Sequence, residues 1–199
     1  MDALIAKVRD RAAALGERVE AVASPAELDE AEWQLGFALP SFYRRLLLEV
    51  GNGGFGPGGF YGMPPHGYFD DDLRDRDVAN VVDAYFRERE SVRYRGPRGV
   101  LFLCNWGAAK WSHLDCATDD GAVLTSEWMK PQGLPESTYY WQTSPSLAEW
   151  MREWVQSDGR DLTVEVIGRE TRKNPFTGLP REYPITRPRG PMLDLSDRT

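Results

Sequence analysis

Two cysteines, two histidines and four lysines are all that these 199 residues hold of three residue types on which much protein chemistry depends. Cys104 and Cys116 are too few for a disulfide scaffold or a four-cysteine zinc site. No run approaches the ~18 consecutive apolar residues that a membrane-spanning helix requires. Met1 to Asp10 offers neither an apolar leader core nor a small-residue cleavage site. The expectation is a protein of the reducing cytoplasm, outside any membrane. Positive charge is also short: 24 Lys and Arg against 31 Asp and Glu leave a net charge of −7. A nucleic-acid binder needs clustered cations to replace phosphate counterions, so that class is excluded, and an acidic surface suits water or a basic partner.

What the chain does have is the composition of one soluble domain, 41% hydrophobic and 28% charged. The charge is uneven. Arg169 to Thr199 carries seven basic and four acidic residues, +3, which leaves −10 for residues 1–168. Those 168 residues read as the folded domain, and 169–199 as a Pro/Arg-rich tail.

Leu4, Val8, Ala12, Leu15, Val19 and Val22 recur at roughly helical spacing and predict an opening helix over 3–22. Ser24-Pro25-Ala26-Glu27 supplies a cap hydroxyl, a first-turn proline and a glutamate placed for a capping box. The helix it starts turns Leu28, Ala31 and Leu35 inward and stops at Gly36. Pro40 opens a third, with Tyr43, Leu46, Leu47 and Val50 at i, i+3, i+4, i+7 and Gly51 as its stop. A Gly-, Pro- and aromatic-rich loop follows to Gly67, around one extended segment, Gly59 to Met63. Val78, Val81, Val82 and Tyr85 resume the helical spacing.

The pattern then changes. Val100 to Cys104 reads as a buried strand, and Lys110 to Cys116 and Ala122 to Trp128 as strands joined at Asp119-Asp120-Gly121. Thr138 to Gln142 reads as an edge strand, and Ser144-Pro145 as the start of a helix bearing Leu147, Trp150, Met151 and Trp154. Leu162 to Ile167 offers one more strand. This order predicts an α+β fold: an antiparallel meander packed against N-terminal helices and a C-terminal helix. Beyond Arg169 five prolines among polar residues predict a tail that is either disordered or laid over the surface without regular structure.

Candidate chemistry is sparse. Gly51 to Gly56 matches G-x-G-x-x-G, but a helix precedes it and a Gly-Pro loop follows, the inverse of a dinucleotide site, so a helix stop and turn is the better reading. His113 and Asp115 share a strand face, with Cys104 and Cys116 on neighbouring strands. A nucleophile set or metal site is conceivable there. Strand alternation sends Leu114 and Cys116 to the opposite face, however, which favours structural thiols beside a sheet histidine. No cofactor, metal site or catalytic residue is predicted. Asp70, Asp71 and Asp72, which lack the alternation and closing glutamate of a calcium loop, form a solvated face or a patch for a basic partner; Asp119 and Asp120 join them as partner-binding candidates.

One resemblance emerges from the whole pattern. It is carried by Pro25-Ala26-Glu27-Leu28, Ala31-Glu32, Leu35 to Pro40, Tyr43 to Leu48 and Asn52-Gly53-Gly54. Asn105-Trp106-Gly107, Trp111 to Asp115, Gly121-Ala122-Val123 and Ser146 to Trp150 continue it, so that it spans 24–157. The chain resembles the SMI1/KNR4 (SUKH) superfamily. The resemblance implies a binding protein: in bacteria, an immunity protein that neutralises a polymorphic toxin, often a nuclease; in fungi, a signalling scaffold. A cognate protein toxin, basic in charge, is the expected partner, a toxin-free interaction scaffold the alternative. The long loop from Phe55 to Asp77 is where partner choice is expected to reside.

Overall fold

The computed structural model describes residues 1–69, 78–90, 96–107, 110–127, 139–157, 159–174 and 177–198. Three helices, α1 (Asp2–Leu15), α2 (Pro25–Leu35) and α3 (Ser41–Glu49), precede α4 (Val81–Glu90). Four strands follow: β1 (Val100–Gly107), β2 (Lys110–Asp115), β3 (Ala122–Glu127) and β4 (Tyr139–Ser144). Then come α5 (Leu147–Gln156), β5 (Val164–Lys173), β6 (Pro180–Pro188), β7 (Met192–Asp194) and a 3-10 turn, Ser196–Arg198. The α+β expectation holds. A five-stranded antiparallel sheet runs in the order β1-β2-β3-β4-β7, and β5 and β6 form a separate two-stranded sheet.

Local chemistry explains the helix starts. Ser24 Oγ accepts the Glu27 N–H at 3.2 Å while Glu27 Oε2 accepts the Ser24 N–H at 2.6 Å, so α2 begins with a complete capping box. Its apolar stripe, Leu28, Ala31 and Leu35, is buried as the spacing requires. The cap of α5 is Ser146, whose Oγ accepts the Glu149 N–H, rather than Ser144, which closes β4. Leu147, Trp150, Met151 and Trp154 all face the core.

The opening helix is shorter than its apolar period. Gly16 takes the left-handed conformation (φ 65°), and its N–H returns to the carbonyls of Ala12 and Ala13, which ends the helix. Val19 and Val22 are therefore not part of the stripe, and Val22 stands 52% exposed. From Glu17 the chain runs along the C-terminal turn of α3 and the loop after it: Glu20 N–H bonds Gly53 O, Asn52 N–H bonds Ala21 O, and Ala23 N–H bonds Leu47 O.

Helices bury one face of the sheet in a single large cluster that includes Leu101, Leu103, Cys104, Leu114 and Val123. Adjacent residues point to opposite faces, so Val100 and Leu124 meet Tyr140, Leu195 and Leu193 in a small second cluster on the far side. Two residues of that second cluster come from the presumed tail. The expectation of a tail without regular structure is thus corrected: β7 pairs Met192, Leu193 and Asp194 with Trp141, Tyr140 and Tyr139. For the same reason β4 is an interior strand, not an edge. Among the described residues no helix is long and apolar enough to cross a membrane.

Candidate docking surface

The sequence's catalytic candidates lie inside the sheet. His113 is 1% exposed; its Nε2 lies 2.7 Å from Ser126 Oγ, and its ring packs on Phe102 (4.9 Å) and Tyr140 (5.1 Å). Nε2 and the Ser126 hydroxyl share one hydrogen bond that either can donate, and Nδ1 has no partner among the described residues. Burial pushes the pKa of this imidazole down to about 3, so it stays neutral and carries no proton to or from solvent. Asp115, its neighbour by alternation, is turned away to other partners: both carboxylate oxygens accept from Arg198, at 2.7 and 2.9 Å, and Oδ1 also takes the Ala117 N–H. His113 and Asp115 do not form a pair.

Of the two thiols, Cys104 is fully buried and Cys116 partly so. A bulge at Leu103 in the β1–β2 register sends both Leu103 and Cys104 into the helix-side core. Burial raises the Cys104 thiol to about 12 and the Cys116 thiol further still, the reverse of what a nucleophile needs. Among the described residues no three or more His, Cys, Asp or Glu side chains gather as a metal site would require.

The glycines of the G-x-G-x-x-G match serve packing. A Cβ on Gly51 would lie 2.2 Å from Val19 Cγ1, and one on Gly54 would lie 1.9 Å from Arg18 O, so only glycine lets the segment after α1 approach this closely. Gly56 N–H donates to Glu17 Oε2 at 3.0 Å. Between these glycines the buried Asn52 brackets Met63, its Oδ1 accepting the Met63 N–H and its Nδ2 donating to Met63 O. The space a pyrophosphate would need is filled by protein.

The loop in which partner choice is expected, Phe55 to Asp77, is described as far as Phe69. Phe55, Phe60, Tyr61 and Met63 are fully buried. Phe60 stacks on Trp150 with centroids 5.8 Å apart, Tyr61 N–H bonds Leu103 O, and Tyr43 Oη donates to Tyr61 O. These side chains form a wedge between α5 and β1, while Gly58, Pro65 and His66 of the same loop are exposed. Asp70, Asp71 and Asp72 lie outside the described residues.

Asp119 and Asp120 are both exposed in the tight turn between β2 and β3, which Gly121 closes at φ 65°. Among the described residues neither side chain makes an ion pair.

A surface feature absent from the sequence-level candidates is Trp33, 77% exposed on α2 and the most exposed large apolar side chain among the described residues. With Leu28, Ala31 and Leu35 facing inward, position 33 falls on the solvent side of the helix, a placement the 3.6-residue period already contains. Four carboxylates share that helix, Glu27, Asp29, Glu30 and Glu32, with no basic residue. Glu27 is held by the cap, and Glu32 accepts from Arg44 and from the Leu39 N–H at 2.6 and 2.7 Å. Asp29, exposed, shares Arg44, and Glu30 accepts from the neutral Gln34 amide and, among the described residues, from no cation. The remaining tryptophans of the described residues are buried or half-buried: Trp150 and Trp154 fill the core, and Trp106 donates from Nε1 to Ser112.

Comparison with known proteins adds one match: the model of the SMI1/KNR4 family (SUKH-1) matches residues 22–153. No curated protein matches the chain.

Proposed function

Since the chain belongs to the SMI1/KNR4 family (SUKH-1), we propose that it is an immunity protein that neutralises a cognate toxin by direct contact. The observation that carries this reading is Trp33, a large apolar ring left in solvent on an acidic helix. An exposed indole offers apolar area that a partner can cover, and tryptophan is enriched among binding hot spots. Around it Asp29 and Glu30 add negative charge, and Asp119 and Asp120 supply more on their own turn.

The partner that fits is a basic protein with an apolar pocket. A nuclease toxin is positive where it holds nucleic acid, and opposite charge speeds encounter by tenfold or more. An interface of ordinary size buries on the order of 1,600 Å² in total, enough to enclose the α2 face. The chain acts here by occupying a surface, and it makes or breaks no bond. Nucleic acid and membrane are not its targets.

The test is co-expression with a candidate toxin drawn from the neighbouring genes, followed by titration of the purified pair. Cells survive the toxin when this chain is present, and Trp33→Ala weakens the complex by about 2 kcal/mol or more while leaving the fold intact. Cells that die equally with and without the chain would sink the proposal. So would a complex indifferent to Trp33→Ala and to charge reversal at Asp29, Glu30, Asp119 and Asp120.

A further inference from the structure

On the far side of the main sheet Val100, Leu124 and Tyr140 form a small apolar patch, which Leu193 and Leu195 of the C-terminal segment close. β7 lies along β4 there, with Leu193 opposite Tyr140. Past the strand, the Ser196–Arg198 turn delivers the Arg198 guanidinium to both oxygens of Asp115. Arg198 O accepts the Arg98 N–H at 2.7 Å. The segment therefore fills one groove with three parts: an apolar patch, the outer ladder edge of β4, and a carboxylate at the far end.

Met192–Arg198 lies in this groove as a strap, because the chain before it is fastened on its own account. Arg189 donates to Glu153, the Arg189 N–H to Thr163 O, and the Gln142 N–H to Pro191 O. Gly190, at φ 82°, comes so near β4 that a Cβ would lie 2.0 Å from Gln142 O. The segment beyond Pro191 can lift without drawing on the ribbon of β5 and β6. It contains an edge strand of three residues, with Met192 49% exposed and Leu193 half-buried. Short edge elements with few buried contacts open at the low end of a protein's stability range.

The strap suits the groove's charge at one point and opposes it at two. Arg198 answers Asp115, but Asp194 and Asp197 are exposed acids on a domain whose residues 1–168 carry −10. An occupant with the same apolar spacing and the same arginine, but with cations at those two positions, gains attraction where the strap meets repulsion. We propose that Met192–Arg198 is a built-in competitor for this groove, displaced by a basic extended segment of another protein with apolar residues two apart and a cation three beyond the second. Ladder hydrogen bonds to β4 provide the affinity, and the patch and Asp115 select the segment. This inference stands apart from the toxin-binding reading, which rests on α2, and its probes contain no toxin.

Two synthetic peptides test it: Pro191–Thr199 of this chain, and the same sequence carrying Asp194→Lys and Asp197→Lys. Fluorescence anisotropy follows their binding to the full chain and to Arg198→Ala, whose strap has lost its clasp. Leu193→Ala is the milder loosening should Arg198→Ala fail to fold, and circular dichroism checks each variant. The lysine peptide is expected to bind the loosened chains about tenfold more tightly than wild type, and more tightly than the unchanged peptide. Asp115→Asn added to either variant removes most of that gain. In the unaltered chain, the hydrogen-bonded amides of β7 are expected to exchange with solvent at least about tenfold faster than those of β2 and β3. Exchange of β7 at the rate of β2 and β3 would show that the strap leaves only when the whole fold does, and overturns the proposal. It is equally overturned if neither peptide binds a loosened chain at about 100 µM, or if binding ignores the lysines, the strap or Asp115.

Discussion

Arg198 and Asp115 meet across 83 positions of sequence, the guanidinium donating 2.7 and 2.9 Å hydrogen bonds to the two carboxylate oxygens. A third donation, from Arg198 Nη2 to Arg98 O, ties the same side chain to the start of β1. The carboxylate is almost wholly buried and the guanidinium about a quarter exposed. Removing the arginine leaves an anion in the sheet with only the Ala117 N–H to stabilise it. Arg198→Ala should therefore cost about 2–4 kcal/mol, less than a fully buried pair because water reaches one side. Asp115→Asn in the Arg198→Ala background should recover part of the loss. Urea denaturation of the three variants measures this, and equal midpoints for wild type and Arg198→Ala would show that the clasp contributes nothing.

Two carboxyls and one imidazole pull the pH dependence of stability in opposite directions. Burial raises Glu17 and Glu88 from 4.5 to about 7, though for Glu17 the Gly56 N–H and Arg11 work against it. Between pH 4.5 and 7 the folded chain holds protons at these sites that the unfolded chain has released. Their contribution is complete below pH 4.5 and is lost as pH climbs through 7. Buried His113 does the reverse: it stays neutral to about pH 3 while the unfolded side chain protonates near 6.5, so its contribution is lost as pH falls. The variant E17Q/E88Q should gain stability over wild type as pH rises from 4.5 to 7, by on the order of 1 kcal/mol or more at neutrality. His113→Asn should flatten the acid side instead. Denaturation midpoints at pH 4.5, 6 and 8 separate the two; a difference between E17Q/E88Q and wild type that does not move with pH refutes the assignment.

Gly54 and Gly16 share positive φ angles, 78° and 65°, but not surroundings. A methyl group at Gly16 meets nothing within 4 Å, whereas at Gly54 it would strike Arg18 O. Gly16→Ala should cost only the left-handed penalty, about 1–2 kcal/mol. Gly54→Ala must also part the segment after α1 from the loop after α3, and should cost more than about 3 kcal/mol or abolish folding. Thermal melts that rank the two variants the other way would mean that the segment after α1 yields readily.

Much of this architecture is legible wherever the signal is local. The Ser24–Glu27 box, the Asp119-Asp120-Gly121 turn and the i, i+3, i+4, i+7 stripe of α5 each involve groups within one turn or two of one another. The same period misleads at Val19 and Val22, because a single left-handed glycine outweighs two apolar residues that continue the count. The presumed tail illustrates the other limit. Proline, basic residues and a missing apolar period are what disorder looks like, yet Pro180, Pro184 and Pro188, of one parity along β6, also suit a strand whose outer edge must not pair. That β7 lies beside β4 depends on contacts far apart in sequence, which periodicity does not encode. Trp33 lay within reach of helical geometry alone. The buried half of the Gly-rich loop did not, since Phe60 finds Trp150 only once the helix and the sheet have met.

The order of synthesis gives β7 a role in timing. The sheet's last strand is made roughly fifty residues after β4, an interval of several seconds at about 5–20 residues per second. Until then the flank of β4 that bears Tyr140 is bare, and the Asp115 carboxylate inside the nascent sheet has no counter-ion. A ribosome pausing within the β5–β6 ribbon prolongs that exposure, and sluggish codons there would be expected to raise the demand for chaperones.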